Sequence, residues 1–143
     1  MSWDETEITV RFNEVDSYQV AWHGHYVAWM EVGRLRLSQR FGLAPQDLVE
    51  LGYIGPVVQL DVKYLRPARY ADKLVVRTTL VPAETAALTF KSEIRSGTGE
   101  RLAVGTVVHA LTDMNGVLQY RLPVEVEQRV ANMRAWLDEG ACR

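Results

Sequence analysis

A two-layer α+β domain, one antiparallel sheet curled round a single long helix, is what this sequence predicts, and three patterns predict it. Segments near residues 6–13, 57–64, 73–80, 88–95 and 102–110 alternate apolar and polar side chains with the period of two that marks half-buried strands. Residues 24–41 contain no proline and are apolar at helical spacing. Turn-forming residues separate the last four segments: Arg66-Pro67-Ala68, Pro82-Ala83-Glu84 and Ser96-Gly97-Thr98-Gly99.

Each element has its own justification. In the first strand Ile8, Val10 and Phe12 face one way, and Glu7, Thr9, Arg11 and Asn13 the other. Residues 14–22 break the alternation and read as a loop. In the helix, Tyr26, Met30, Gly33 and Leu37 recur three or four apart with Trp29 beside them. Val27, Ala28, Val32 and Leu35 make much of the rest apolar, so burial on several sides is expected. Gly42 follows Phe41 as a C-terminal stop. In the later strands the apolar rows are Val58, Leu60, Val62 and Tyr64; Leu74, Val76, Thr78 and Leu80; Leu88, Phe90 and Ile94; and Leu102, Val104, Thr106, Val108 and Ala110. The opposite, mixed face holds Val57, Val75, Val81, Val107 and Leu111, an apolar content that suggests packing between copies of the chain. After the Asn115-Gly116 turn, Pro123 opens a short C-terminal helix along which Val126, Val130, Met133 and Leu137 recur.

The 143 residues read as one domain, 1–143, long enough to bury roughly two thirds of its unfolded surface without a disulfide or metal staple. Lys and Arg number 16 against 18 Asp and Glu, a net charge of −2, which argues against a dedicated nucleic-acid binder but leaves room for a local basic patch. A single cysteine, Cys142, excludes an intrachain disulfide, and its place at the chain end makes it a poor nucleophile. No apolar run approaches the ~18–20 residues that cross a bilayer. The acidic start Met1-Ser2-Trp3-Asp4-Glu5 lacks the basic and apolar regions of a signal peptide, so the chain is expected in the cytoplasm, with no membrane span.

Several kinds of chemistry have no motif: there is no Gly-x-Ser-x-Gly elbow, no phosphate-cradling Gly-x-x-x-x-Gly-Lys and no His-Glu-x-x-His. What stands out is the loop into the long helix, Arg11 to Tyr26, which gathers Glu14, Asp16, Trp22, His23 and His25 beside a helix start. A helix start carries unpaired N–H groups and partial positive charge, which stabilise an oxyanion forming on a carbonyl. Asp16 stands where it could attack that carbonyl or activate a water; equally, an aspartate in such a loop caps a turn with its side-chain oxygen. His23-x-His25 has metal-ligand spacing, but the only further histidine, His109, lies in a strand, and no metal is expected. Glu31 lies on the helix and needs a partner, for which Arg34 or Arg36 is near.

Taken in order, these residues resemble the signature of the 4-hydroxybenzoyl-CoA thioesterase-like acyl-CoA thioesterases. The first block is Asn13-Glu14-Val15-Asp16, then His23-Gly24-His25-Tyr26, then Trp29-Met30-Glu31-Val32-Gly33-Arg34. The second, Val62 to Leu74, is similar to that family's tyrosine, Pro-Ala and Ala-Asp strand connection. The resemblance runs from residue 6 to about 135. It implies the hotdog fold, a five-stranded antiparallel sheet round one helix, and a homodimer or homotetramer with active sites between subunits. It implies hydrolysis of an acyl-CoA thioester, with CoA part of the substrate and no separate cofactor. Asp16 falls on the family's catalytic aspartate, His23 on the residue whose backbone N–H polarises the thioester carbonyl, and Tyr26 on the tyrosine at the helix start. Tyr26, Trp22 and Trp29 would lie along the acyl group, and Arg66 and Arg69 near the CoA phosphates. Where many members carry glycine three residues after the aspartate, this chain has Gln19, so either the loop differs or Gln19 bears a strained φ above zero. The alternative function on the same fold is a non-hydrolytic module that binds acyl-CoA or acyl-carrier protein.

Overall fold

The structure, a computed structural model, describes residues 2–83 and 85–140; Cys142, and Glu84 of the expected turn after Pro82, lie outside the described residues. Strand β1 spans Asp4–Thr9, followed by a single 3-10 turn over Phe12–Glu14. Helix α1 runs His23–Arg40 and α2 Pro45–Leu51. Strands β2 (Tyr53–Ile54), β3 (Val57–Tyr64), β4 (Lys73–Val81), β5 (Leu88–Ser96), β6 (Arg101–His109) and β7 (Thr112–Asp113) lead to helix α3, Val124–Gly140. The main sheet has the order β1-β4-β5-β6-β3 with every neighbouring pair antiparallel, and β2 and β7 form a separate two-stranded ribbon.

The expected α1 face is the buried one: Tyr26, Trp29, Met30, Gly33 and Leu37 all point into the core. Gly33 sets the distance between layers. A Cβ there would lie 2.6 Å from Thr78 Oγ1 and 2.8 Å from Val76 Cγ1 on β4, so only glycine lets the helix settle this close. Two apolar clusters result. One joins Tyr26, Trp29 and Met30 to Val10, Ala68, Leu74, Val76 and Ile94. The other joins Leu37 to Leu80, Phe90 and Leu111, and is closed by Val126, Val130, Met133 and Leu137 of α3 at the expected spacing.

The structure corrects several details of the sequence reading. The inward row of β6 is Ala103, Gly105, Val107 and His109, not the even-numbered residues. The register slips between Ile94 and Arg95, whose partners are Ala103 and Arg101, so Leu102 is an extra residue in the ladder. One inserted residue reverses the facing of everything after it, which moves Val107 and Leu111 from the mixed face into the core. The register also shifts between Val57 and Gln59, and Val57, though half exposed, lines a surface cavity with Met30 and Leu60. The first strand ends at Thr9, so Phe12, expected inside, stands on the surface. Helix α1 is not enclosed: Ala28, Glu31 and Val32 remain exposed in this chain. Helix α2 has no counterpart in the sequence reading, although Pro45 in its first turn, Asp47 accepting the Ala44 N–H at 3.0 Å and Gly52 at its left-handed end are recognisable start and stop signals.

The loop into α1 is anchored by a buried carboxylate. Glu14 Oε1 accepts the Arg11 N–H at 2.7 Å, and Oε2 accepts the Trp29 indole N–H at 2.9 Å. Burial pushes the carboxyl up, but the hydrogen bonds from the Arg11 backbone and the Trp29 indole, with the Arg11 guanidinium 3.4 Å away, outweigh it and hold Glu14 below the ordinary glutamate value. A carboxylate depressed on folding adds stability above its unfolded value, near 4.5, and loses it as pH falls through the folded one. Glu14→Gln is therefore expected to cost about 1–3 kcal/mol at pH 7, with the difference from wild type shrinking below about pH 4.5. Urea unfolding from pH 7 to pH 3 measures both; a variant as stable as wild type at pH 7 removes the anchor from the account.

Candidate active site

Asp16 follows Glu14 by two residues across an extended Val15, but where Glu14 is buried Asp16 is partly exposed. A short reverse turn then brings the chain back. Asp16 N–H donates to the Val20 carbonyl at 3.0 Å, Gln19 N–H donates to the Asp16 carbonyl at 3.0 Å, and Val15 bridges Ala21. Gln19 sits at φ 66°, the left-handed conformation expected if it stands in for glycine. The Asp16 carboxylate is held by the turn it helps to make: Oδ1 accepts the Tyr18 N–H at 2.8 Å, the turn-capping role weighed from sequence. Among the described residues no partner holds Oδ2.

The returning strand delivers the start of α1. Trp22 N–H donates to the Glu14 carbonyl at 2.9 Å and Ala21 N–H to the Ala68 carbonyl at 2.8 Å, so the helix entrance is tied both to its own loop and to the loop after β3. Trp22 occupies the N-cap position and supplies no capping side chain. Among the described residues the N–H groups of His23 and Gly24 therefore have no acceptor. The indole of Trp22 folds back over the first turn; a Cβ at Gly24 would lie 2.0 Å from it, so any other residue there would push the half-exposed indole aside. Trp22 also meets the rings of His23 and His25, with centroids 4.7 and 5.4 Å away.

The other residues singled out from the sequence divide between the opening and its support. Tyr26 is buried, and its hydroxyl accepts the Ala68 N–H at 2.9 Å, which makes it a support for the 65–72 loop; burial raises its pKa, so it stays a phenol. Arg66 and Arg69 are exposed on that loop, Arg66 with Glu100 3.4 Å away. The guanidinium of Arg69 has no partner among the described residues. Glu31 is paired with Arg34 as expected, but Arg34 is the buried member and Glu31 the exposed one. His109 is buried in the sheet with Nδ1–H donating to the Gly55 carbonyl at 2.9 Å. Among the described residues no three His, Cys, Asp or Glu side chains group together as metal ligands. Two contributors escaped the sequence reading. Glu14 was legible only as half of a carboxylate pair. Tyr64, whose Oη–H donates to the His23 carbonyl at 2.7 Å and whose ring meets Tyr26 at 5.1 Å, was legible only as a strand residue within the second block.

A helix start with open N–H groups, entered from a loop that holds a carboxylate, is suited to acyl transfer, and the comparisons with known proteins fall on thioesterases. The pattern of the Thioesterase superfamily matches residues 18–103. The chain is 30% identical over 113 residues to the Bacillus subtilis (strain 168) protein named "Putative acyl-CoA thioesterase YneP", covering 79% of this chain and 82% of that one. Its fold superposes with a TM-score of 0.84 on the DHNA-CoA thioesterase of Staphylococcus aureus, at 27% identity and covering 98% and 96% of the two chains. A 1,4-dihydroxy-2-naphthoyl-CoA thioesterase from Synechocystis, 19% identical over 95% of this chain and 98% of that one, shares the fold with a TM-score of 0.82. With more than half its length matched and the hotdog arrangement in place, this chain belongs to the Thioesterase superfamily.

Proposed function

We propose that the protein hydrolyses acyl-CoA thioesters to the free carboxylic acid and CoA. The observation that carries this reading is the uncapped start of α1, whose His23 and Gly24 N–H groups are open at the end of the loop in which Asp16 is held by its own turn. The thioester carbonyl oxygen accepts the His23 N–H, where charge building on it is met by the helix terminus. Asp16, steadied through Oδ1, attacks the carbonyl carbon through Oδ2 or takes a proton from the water that does. The C–S bond then breaks, and the CoA thiolate leaves and is protonated; on the nucleophilic route a water then cleaves the acyl-aspartyl anhydride, releasing the acid and restoring the Asp16 carboxylate. Trp22 lines the entrance for the acyl group while Tyr26 holds the loop opposite. Arg66 and Arg69 meet the CoA phosphates. A carrier-protein thioester ends in the same phosphopantetheine arm, so an acyl-carrier protein is the alternative donor.

The functional unit we propose is a homodimer joined through β3, with a homotetramer built on the outer sheet face. Strand β3 ends the sheet with unpaired backbone, and Val57, Val58, Leu60 and Tyr64 along it are largely exposed. Half-buried Val75, Val81, Val104 and Val108 supply the outer face.

Asp16→Asn keeps an acceptor for the Tyr18 N–H while removing the nucleophile or base. Turnover on a panel of short, long and aromatic acyl-CoAs should fall roughly 10²–10⁴-fold, with melting temperature unchanged; near-wild-type turnover would refute the role of Asp16. Saturable binding of acyl-CoA with no thiol release by the wild type would favour the non-hydrolytic module instead. Arg66→Ala/Arg69→Ala should raise KM for acyl-CoA several-fold with kcat kept, and an unchanged KM would remove both arginines from the CoA site. For the assembly, light scattering of Leu60→Asp should read a monomer where the wild type reads a dimer or tetramer; a monomeric wild type defeats the proposed assembly.

A further inference from the structure

Two aromatic rings meet on the open surface beside the candidate site. Phe12 and Tyr70 are 80% and 59% exposed, their centroids lie 5.9 Å apart and their planes stand at 88°. Each ring follows an exposed arginine, as Arg11-Phe12 and Arg69-Tyr70. The two segments are far apart in sequence but joined by backbone: Val10 N–H donates to the Asp72 carbonyl at 2.9 Å, and Ala71 N–H to the Val10 carbonyl at 3.0 Å. The 69–72 turn is closed by Asp72 N–H on the Arg69 carbonyl at 3.1 Å and by Asp72 Oδ2, which accepts the Arg69 N–H at 2.8 Å. Within it Ala71 is held at φ 68°, a conformation unfavourable for a non-glycine residue that survives only where the surroundings enforce it. The fold thus spends strain to keep an outward-facing pair of rings in a fixed corner. The same loop carries Ala68, whose carbonyl and N–H are tied to Ala21 and Tyr26 at the helix entrance.

We propose that this corner seats the nucleotide end of the substrate thiol, with the purine against Phe12 and Tyr70 and the phosphates against Arg11 and Arg69. The inference rests on the acyl-CoA reading above and assigns residues to the part of CoA farthest from the reacting carbon. The chemistry of the corner selects the ligand. Rings at right angles accept a flat heterocycle on one face while the other ring meets its edge. The arginine that precedes each ring in the chain, Arg69 unpaired among the described residues and Arg11 3.4 Å from the Glu14 carboxylate, supplies the fork that phosphate oxygens take. Alternating rings and cations are how stacking platforms hold bases and their phosphates together. A protein or membrane partner would instead be expected to meet a continuous apolar patch.

The test separates this corner from the hydrolytic site. Adenosine 3′,5′-bisphosphate, which carries the base and 3′-phosphate of CoA without the pantetheine arm, is titrated calorimetrically into the wild type and into Phe12→Ala/Tyr70→Ala. The wild type should bind it saturably and the variant at least roughly tenfold more weakly. Because both rings are exposed, the melting temperature should not move. No binding by the wild type at millimolar concentration, or equal binding by both proteins, overturns the proposal. In turnover assays the variant should raise KM for an acyl-CoA at least roughly tenfold, and raise it far less for the same acyl group on N-acetylcysteamine. Equal effects on the two substrates also overturn it. The bisphosphate should compete with acyl-CoA; a change in N-acetylcysteamine thioester turnover without such competition would instead mark a separate effector site and defeat the assignment. Failure to cleave any thioester defeats the hydrolase reading alone, since the titration still reads the corner. Cleavage without bisphosphate binding defeats the corner alone.

Discussion

Everything at the helix entrance hangs on the buried carboxylate of Glu14. Its two oxygens hold the Arg11 N–H and the Trp29 indole, and its own carbonyl accepts the Trp22 N–H, so one residue fixes the loop's beginning, its end and the helix it leads into. An ionised group so enclosed is tolerated only when fully bonded. That requirement leaves the loop one arrangement. The chain leaves the 3-10 turn through an extended Val15, and the next carboxylate, Asp16, is partly exposed. The two acids of the segment thus differ in their surroundings: one is sealed in as a brace, the other caps its own turn through Oδ1 and stays partly exposed.

The brace works because the helix it grips is itself fixed. Gly33 admits α1 to within side-chain contact of β4, and Met30 fills the space over Gly105 on β6, where a Cβ would lie 2.6 Å from its sulfur. Small residues on both surfaces thus set the height of the helix above the sheet. Tyr26 and Tyr64 transmit that position outward, one by accepting the Ala68 N–H and the other by donating to the His23 carbonyl. The first turn of α1 is held from the carbonyl side, and its N–H groups are left unspent. A helix start capped by serine or aspartate would be more stable by about 0.5–2 kcal/mol, but its donors would be occupied.

The parts of this fold legible from the sequence are those where one period governs an uninterrupted element. Tyr26, Met30, Gly33 and Leu37 gave the buried face of α1, and Leu74, Val76, Thr78 and Leu80 that of β4, because neither element contains an irregularity. The failures begin where a residue is inserted. Nothing about Leu102 announces a bulge, yet once it is there Gly105 and Val107 face the helix and Val104 and Thr106 do not. Phe12 misled for a related reason: it continues the spacing of Ile8 and Val10, but the chain has already left the sheet to form the turn that Glu14 ties down. At the site, Asp16, His23 and Gln19 stood out through motif spacing. The division of labour between Glu14 and Asp16 depended on a partner, the Trp29 indole, fifteen residues away, which no local pattern contains.

Departures from local preference are not scattered. Among the described residues, Gln19 and Ala71 are the non-glycine positions with positive φ, and they occupy the two loops joined by the Ala21–Ala68 hydrogen bond. The uncapped start of α1 and the outward rings of Phe12 and Tyr70 belong to those same loops. Each is a cost in isolation, and packing between α1, β4 and α3 needs none of them. Backbone strain that gathers in two joined loops, while the rest of the described backbone avoids it, is what selection for a ligand leaves behind. The physical case for where this protein acts thus rests on where its fold declines to be as stable as it might have been, and that place coincides with the residues whose spacing resembled a thioesterase.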